Sequence, residues 1–283
     1  MQNSELPVFE HSVSMICWAL NEEENISEFI ERAIALMGCS VADWEIILID
    51  DGSTDRTLEI AQSYHQSNPR FKVVPNDINR NVAFSMCRAI SLATKEYLFW
   101  QTVDWSYDIA DLRNNLEHLR QFDVVQGVRR NPVNARFHLV KPIKLAMQIF
   151  HIQYLTRRSD TVSKALISLC NYILLRFLFQ VPVSDYQNIS FYPTSWIQAQ
   201  TLESNSSLIN PEVLFKAYWA GMSIKEVPIN FIARTKGEAK GTKLSSIKRS
   251  VLDILYFWFK WVVLGRRHYV RPGQIERLDF QNR

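Results

Sequence analysis

Short apolar runs alternate with helically spaced apolar residues along the first half of the chain. The runs predict strands at Val13–Leu20, Glu45–Asp50, Phe71–Val74, Tyr97–Val103 and Val124–Val128. Between these runs, apolar residues that recur every three or four positions predict helices at Glu22–Met37, Asp55–His65, Val82–Thr94 and Ile109–Arg120. This order predicts an α/β fold with a mainly parallel sheet that is sandwiched by helices. We expect ligands at the carboxyl ends of the strands.

The second half of the chain has longer helical patterns and fewer strands. The predicted elements are amphipathic helices at Val140–Tyr154 and Ser163–Phe179, a polar strand or loop at Val183–Tyr192, a helix at Pro211–Ala220, a strand at Ile224–Ile232, a polar loop at Arg234–Lys243 and a helix at Leu244–Leu264. We therefore assign residues 1–235 to the main domain. Residues 236–283 form a C-terminal extension, a polar loop and a helix packed on the same domain or on a membrane surface.

The composition argues against several classes of protein. The net charge of +3 is too mild for a nucleic-acid-binding protein, so no nucleic acid is expected as a partner. The four cysteines include no C-x-x-C pair, which argues against a zinc site and favours a reducing, cytoplasmic setting. Residues 1–12 are polar, so we expect no signal peptide. The longest apolar segment, Ile254–Leu264, is interrupted by Lys260 and is shorter than a membrane span of about 20 residues.

Acidic residues follow two of the predicted strands. Asp50 and Asp51 begin a DDGSTD segment, and Asp104 follows the strand that starts at Tyr97. Since parallel strands end on one rim, these carboxylates are expected to converge there and to bind a divalent cation or a base and ribose. A purely structural interpretation stays open, in which DDGSTD is a strand end and a turn with Ser53 or Thr54 as a helix cap.

Several short motifs, which follow one another along the chain in a characteristic order, resemble those of a known family. They are Asn21–Ile26 (NEEENI), Ile49–Asp55 (IDDGSTD), Arg80–Asn81 (RN), Asp104 with Asp108, Asp123–Arg129 (DVVQGVR), Val183–Asp185 (VSD), Glu226–Ile229 (EVPI) and Arg234 with Gly237–Lys240 (GEAK). Over roughly residues 12–250 the chain resembles the family 2 glycosyltransferases, nearest to the dolichyl- and polyprenyl-phosphate hexosyltransferase branch. The resemblance implies a GT-A fold, a nucleoside-diphosphate sugar as donor and inversion at the anomeric carbon.

The resemblance also implies roles for individual residues on the donor side. Glu22 and Asp51 would contact the nucleoside with Asp50 nearby, and Arg80 would lie in the donor site. Asp104 would ligate Mg²⁺ or Mn²⁺ at the diphosphate.

Further cationic and acidic residues are implied around the phosphates and the acceptor. Arg129, Arg234 and Lys240 would supply positive charge to the donor diphosphate or to an acceptor phosphate. Asp185 would be the carboxylate near the attacking oxygen.

Thr102 is the main departure from the family pattern. It replaces the first Asp of the D-x-D motif, so that the motif reads TVD. A neutral hydroxyl is a poorer ligand for a hard cation than a carboxylate. Metal binding would then depend on Asp104, Ser106 and the phosphates, and the degree of metal dependence stays open.

Three functions remain open from the sequence. The first is transfer of a hexose to a polyprenyl phosphate at the inner face of the cytoplasmic membrane. The second is transfer to a saccharide hydroxyl in surface-polysaccharide synthesis, and the third is nucleotide-sugar binding with reduced or no activity, which Thr102 motivates.

The two long apolar helices have alternative interpretations of their own. For Ser163–Phe179 we expect packing on the core. The helix Leu244–Leu264, with basic residues at its ends, is either a core or dimer helix or a membrane-surface contact made through residues 244–268.

Overall fold

The computed structural model describes residues 8–129, 162–230, 232 and 244–274. Its strands are β1 (Val13–Ala19), β2 (Trp44–Asp50), β3 (Phe71–Pro75), β4 (Tyr97–Trp100), β5 (Val124–Val128), β6 (Ser190–Pro193) and β7 (Ile224–Pro228). Its α-helices are α1 (Ile26–Ser40), α2 (Thr57–Ser67), α3 (Asn81–Leu92), α4 (Leu112–Glu117), α5 (Val162–Phe179), α6 (Thr194–Gln198), α7 (Ile209–Trp219) and α8 (Leu244–Trp258).

Within the described residues, the strands form one seven-stranded sheet in the order β3-β2-β1-β4-β6-β5-β7. β1 pairs in parallel with both β2 and β4, so the carboxyl ends of these three strands share one rim. β6 is antiparallel to β4 and to β5, and it lies between them. The predicted, mainly parallel α/β sheet is therefore confirmed, with β6 as the antiparallel exception.

Alternate residues of the central strands feed separate cores on the two faces of the sheet. Met15 and Leu48 lie in a cluster with α1 and α4, whereas Ile16 and Ile47 lie in a cluster with α3 and α7. Successive strand residues point to opposite faces of the sheet. A strand that is buried on both faces therefore appears in the sequence as a nearly continuous apolar run.

The C-terminal helix α8 and the π-helical turn that continues it, Phe259–Val263, are joined to the same domain by apolar packing and by charge. Phe257 and Trp261 are buried in a cluster that includes α5 and α7. Lys260 pairs with Glu203, and the Trp261 indole donates to the same carboxylate at 3.0 Å. Past the helix, Val270 N donates to Gln200 at 2.9 Å. The described part of the C-terminal extension is thus anchored on the domain that carries the sheet.

The first helix begins later than its apolar pattern predicts. Asn21 has a left-handed backbone with φ of 50°, and Glu22 N donates to Thr57 Oγ1 at 2.8 Å. Bonds of this kind tie Asn21, Glu22 and Glu23 to the loop after β2 and to the first residue of α2, and the helix starts at Ile26 instead of Glu22. The prediction of a helix over Glu22–Met37 was wrong in its first turn, where tertiary hydrogen bonds hold the chain and residues 23–25 form a turn.

Other boundaries differ where polar side chains bind the backbone. The predicted strand Tyr97–Val103 ends at Trp100, because Thr102 N donates to the Gln101 side chain at 2.8 Å and a turn follows. The predicted helix Ile109–Arg120 shortens to α4 and a 3₁₀ turn, and Asp108 Oδ1 accepts from Ala110 N at 3.2 Å. The predicted helix Val140–Tyr154 lies outside the described residues.

Glu45 predicts an acid-sensitive contribution to stability. Burial alone would raise the pKa of this carboxyl, but hydrogen bonds from Lys72, Ser14 and Thr94 outweigh it and hold the pKa below 4.5. A lowered folded-state pKa means that the stabilisation is present above pH 4.5 and is lost as the pH falls through the folded-state value. We expect Glu45→Gln to flatten the pH dependence of the free energy of unfolding in that acidic range, measured by urea denaturation.

The matched control for Glu45 is Glu59→Gln. Glu59 also pairs with a cation, Arg56, at 3.1 Å, but both side chains are exposed. Exposed pairs contribute little to stability. An equal flattening in both variants would contradict the role assigned to Glu45.

Candidate active site

The loops after β1 and β2 are joined to each other by side-chain-to-backbone hydrogen bonds. Asn21 N donates to Ser53 Oγ at 2.9 Å, and Thr54 N donates back to Asn21 Oδ1 at 2.8 Å. Asp55 contributes from the same loop, since Thr57 N and Thr57 Oγ1 both donate to its Oδ1. Glu22 is thereby held beside the DDGSTD segment, at the rim where the strands end.

Asp51 is a buried hydrogen-bond acceptor that joins two loops and a helix. Its Oδ1 accepts from Asn76 Nδ2 at 2.8 Å, from Arg80 N at 3.0 Å and from Ser85 Oγ at 2.9 Å. These donors follow β3 or belong to α3 and its preceding residue. The Arg80 side chain itself is exposed and lies 5.4 Å from the centroid of the Phe84 ring.

Asp50 has one carboxylate oxygen engaged and one without a partner. Its Oδ2 accepts from Ser53 N at 3.1 Å, while Oδ1 is buried and lacks a hydrogen-bond partner. A buried acceptor without a donor is costly by about 1–3 kcal/mol, so it is typical of a position where a ligand or water completes the bonding.

The loop after β4 is shaped by Thr102. Its Oγ1 accepts from Ser106 N at 3.1 Å, and Asp104 Oδ1 accepts from the same N–H at 3.1 Å. Trp105 between them has φ of 51° and packs its ring under the Arg32 guanidinium at 4.3 Å. Thr102 therefore stabilises the turn that presents Asp104. Ser106 is buried beside Asp104.

The same loop is bonded to the chain beyond β7. Asp108 N donates to Asn230 O at 2.9 Å, and Ile232 N donates to Ser106 O at 2.8 Å. The chain continues from Ile232 toward Arg234 and Lys240. Both of these predicted phosphate-binding residues lie outside the described residues, so their roles stay predictions.

Arg129 and Asp185 form a buried ion pair with each other. Arg129 Nε donates to Asp185 Oδ2 at 2.6 Å and its Nη2 donates to Oδ1 at 2.7 Å. Gln187 N and Asn188 Nδ2 also donate to this carboxylate, at 3.1 and 3.4 Å. The sequence assigned one residue to phosphate and the other to the attacking oxygen, and it gave no sign that they pair.

The VSD and EVPI motifs meet beside this pair. Ser184 N and Oγ both donate to the Glu226 carboxylate, the latter at 2.7 Å. Gly127 lies where a Cβ would come within 2.7 Å of the Asn188 side chain, so glycine permits the close approach of β5 and this loop. The hydroxyl of Tyr107 donates to Gln187 O and thus connects the loop after β4 to the loop that carries Asp185.

The structure thus gathers Glu22, Asp50, Asp51 and Asp104 on the rim formed by β1, β2 and β4. β1 separates the other two strands, which puts the strand ends that carry Asp51 and Asp104 about 10 Å apart. Asn76 belongs to the same rim, and the sequence signal that could have found it is a polar residue directly after a predicted strand.

The donor set on the loop after β4 is compatible with a cation that arrives with phosphates. In the part of the chain that the structure describes, no group of three or more His, Cys, Asp or Glu side chains could hold a metal ion. Mg²⁺ in nucleotide sites is commonly bound by one or two carboxylates together with substrate phosphates. Asp104 fits that pattern as a single carboxylate at the rim.

Comparison with known proteins agrees with this architecture. The chain is 25% identical to the dodecaprenyl-phosphate galacturonate synthase of Rhizobium johnstonii over 94% of its own length and 71% of that protein. It is 39% identical to the putative glycosyltransferase EpsE of Bacillus subtilis, but that match covers 32% of each chain.

A solved structure, the mannosyltransferase PcManGT from Pyrobaculum calidifontis in complex with GDP-Man and Mn²⁺, matches with a TM-score of 0.58. Its sequence identity is 14%, and the match covers 93% of this chain and 67% of that one, so it speaks for the GT-A fold alone. Residues 14–180, more than half of the chain and spanning the acidic rim, match the family described as "Glycosyl transferase family 2". On this match, with the GT-A fold and the acidic rim in agreement, the chain belongs to glycosyl transferase family 2.

Proposed function

We propose that this protein is an inverting glycosyltransferase that moves a sugar from a nucleoside-diphosphate sugar to a polyprenyl phosphate. The single observation that carries the proposal is the acidic rim, where loops from β1, β2 and β4 bring together Glu22, Asp50, Asp51 and Asp104. Ligands of open parallel sheets bind at this edge.

The buried, unpartnered Oδ1 of Asp50 supports a donor that offers an N–H or O–H to this rim. A nucleobase and a ribose both carry such groups. Asp51 Oδ1 accepts from Asn76, Arg80 N and Ser85 and so holds the surrounding loops in place, and the contact proposed with the nucleoside falls to its other oxygen, Oδ2. Glu22, from the loop after β1, completes this nucleoside side of the site.

A lipid phosphate as acceptor is favoured by the similarity to the dodecaprenyl-phosphate galacturonate synthase, which extends over 94% of this chain. It is also favoured by the Arg129–Asp185 pair. A carboxylate whose two oxygens already accept hydrogen bonds has little capacity left to take a proton, and a phosphate acceptor, being ionised, needs no strong base. A saccharide hydroxyl would need one.

In the proposed reaction, an oxygen of the acceptor phosphate attacks the anomeric carbon of the donor. The bond from that carbon to the diphosphate breaks, and the nucleoside diphosphate leaves with the electron pair. Arg234 and Lys240 supply positive charge to the phosphates in this proposal, while the charge of Arg129 is compensated by Asp185 and holds that carboxylate in place. A divalent cation held by Asp104, with Ser106 beside it, would neutralise the leaving diphosphate.

The proposed location is the inner face of the cytoplasmic membrane, at its surface. None of the described helices is both long enough and apolar enough to cross a membrane. A polyprenyl-phosphate acceptor is embedded in a membrane, so the active site must reach the headgroup region.

Nucleotide titration tests the proposal and the role of Asp104 together. We expect UDP or GDP, measured calorimetrically, to bind more tightly when Mn²⁺ is present, and we expect the matching nucleotide sugar to release nucleoside diphosphate when a polyprenyl phosphate is added. Asp104→Ala should remove most of the Mn²⁺ effect. Thr102→Ala should remove less, because Thr102 acts on the loop and Asp104 on the cation.

The controls separate the alternatives. Thr102→Ser retains the hydroxyl and should behave like the unaltered protein. Binding of neither nucleotide would exclude every transferase interpretation. Metal-independent binding without turnover would favour a nucleotide-sugar-binding homologue. The Thr102 hydroxyl, which accepts a hydrogen bond from Ser106 N, agrees with that alternative. Equal losses in the Asp104 and Thr102 variants would contradict the division of roles.

A further inference from the structure

The helix α8 and the turn that follows it expose a continuous apolar stripe. Leu252 is 57% exposed, Tyr256 60% and Phe259 51%, and Leu255 and Val263 extend the same surface. The opposite side of the helix is buried through Ile254, Phe257 and Trp261. Residues 252–263 span about 17 Å along a helix. The helix is thus apolar on the face that holds it to the domain and also on the face that points away.

A second exposed apolar stripe lies on α5, which packs against α8. Phe177 is 77% exposed, and Ile173 and Ile167 are also exposed. Their spacing places them along one side of the helix. The sequence predicted that this helix packs on the core, and only one side of it does so, through Leu175 and Phe179. Together, the exposed stripes on α5 and α8 form one apolar face.

Positive charge lies at both ends of the α8 stripe. Lys248 and Arg249 are exposed before it, and Arg266 and Arg267 are exposed after it. Along residues 248–267 the sequence has a single acidic residue, Asp253. Cations that flank an exposed apolar helix match the charge and the apolar interior of an anionic bilayer surface.

We propose that the apolar face docks this protein on an anionic lipid bilayer, with α5 and α8 lying in the plane of the headgroups. A second copy of the chain is the less suitable occupant. If two copies paired antiparallel through α8, Lys248 and Arg249 of one would face Arg266 and Arg267 of the other, and like charges would meet at both ends. A bilayer with anionic headgroups has no such conflict.

The buried side of α8 packs in the same cluster as the loop that carries Asp185. Val183 and Tyr186 lie in the same buried cluster as Ile254 and Trp261, and Tyr186 stacks edge-on against Phe215 at 5.6 Å. Docking would therefore fix the orientation of that loop toward the membrane. This orientation matters for a lipid phosphate acceptor and rests on the proposed function, whereas docking itself does not.

Vesicle binding by the full chain tests the docking. We expect co-sedimentation with phosphatidylcholine vesicles that contain phosphatidylglycerol, and weaker binding to phosphatidylcholine alone. Replacing Leu252, Tyr256 and Phe259 together by Gln should weaken binding about tenfold or more, because apolar area enters the headgroup region in docking. Reversing Lys248, Arg249 and Arg266 to Glu should remove the preference for anionic vesicles.

The matched control is Leu92→Gln, which alters an exposed apolar residue on α3, away from the apolar face. The Leu92→Gln variant should bind vesicles as well as the unaltered protein does. No binding by the unaltered protein, or equal binding by the triple Gln variant, would overturn the proposal. A dimer in light scattering that the triple Gln variant converts to a monomer, without any vesicle binding, would show a second copy on this face. Nucleotide titration of the same variants reports on the proposed function separately.

Discussion

Gly52→Ala is expected to lower the free energy of unfolding by about 3 kcal/mol and to weaken nucleotide binding at least tenfold. Gly52 has φ of +75°, and a Cβ there would lie 2.6 Å from the carbonyl carbon of Ile78 and 2.7 Å from Asn79 N. These are backbone atoms, so the neighbouring loop must move as a whole. Arg80 N, one residue further on, would then lose its bond to Asp51.

Gly221→Ala separates backbone strain from collision. Gly221 also has a positive φ, +79°, but nothing lies within 4 Å of the position of its Cβ. Strain alone should cost about 1 kcal/mol there, with nucleotide binding unchanged. Urea denaturation and calorimetric titration of UDP and GDP measure both effects. Equal stability losses in the two variants would mean that the contact with residues 78–79 is unimportant.

Breaking the Arg129–Asp185 pair is expected to cause the second large loss in the free energy of unfolding. Asp185→Ala leaves a buried guanidinium without its bidentate partner, and Arg129→Ala leaves a buried carboxylate. Each single variant should lose about 3–5 kcal/mol of unfolding free energy, since an uncompensated buried charge is unfavourable.

The double variant Arg129→Met with Asp185→Leu tests whether the two side chains act as a unit. Its loss should be smaller than the sum of the single losses by roughly 1–3 kcal/mol, because no unpaired charge remains. Additive losses in urea denaturation would contradict the pairing. If the single variants are too unstable to purify, Arg129→Lys supplies a milder test, because Lys keeps the charge but lacks the planar fork.

Most of the sheet could be predicted from the sequence because β1, β2 and β5 are mainly apolar and nearly all of their residues are buried. The strand β6 could not be assigned as antiparallel, because Ser190–Pro193 carries no signal for its direction or its neighbours. Its place between β4 and β5 depends on partners that are far away in the chain. Helix starts were misjudged for a similar reason, since Glu22 bonds to Thr57 across the sheet edge.

The acidic rim could be predicted because strand ends and parallel pairing bring Asp50, Asp51 and Asp104 to one edge. What could not be predicted is which groups already bind each other. Arg129 and Asp185 lie 56 positions apart, and their pairing depends on the turn at residues 183–188. Likewise, Thr102 reads as a lost metal ligand in the sequence, whereas in the structure its hydroxyl also shapes the loop that carries Asp104.

The insertion of β6 into the sheet has a consequence for the order in which the chain assembles. In the described part of the sheet, β1, β2, β3 and β4 pair only among themselves, and β4 gains its second neighbour when β6 is made. β5 has β6 and β7 as its neighbours, and both come later in the chain. As the chain leaves the ribosome, the half of the sheet that holds the acidic rim can therefore form first. The half that carries Arg129 must wait until Ser190–Pro193 has emerged.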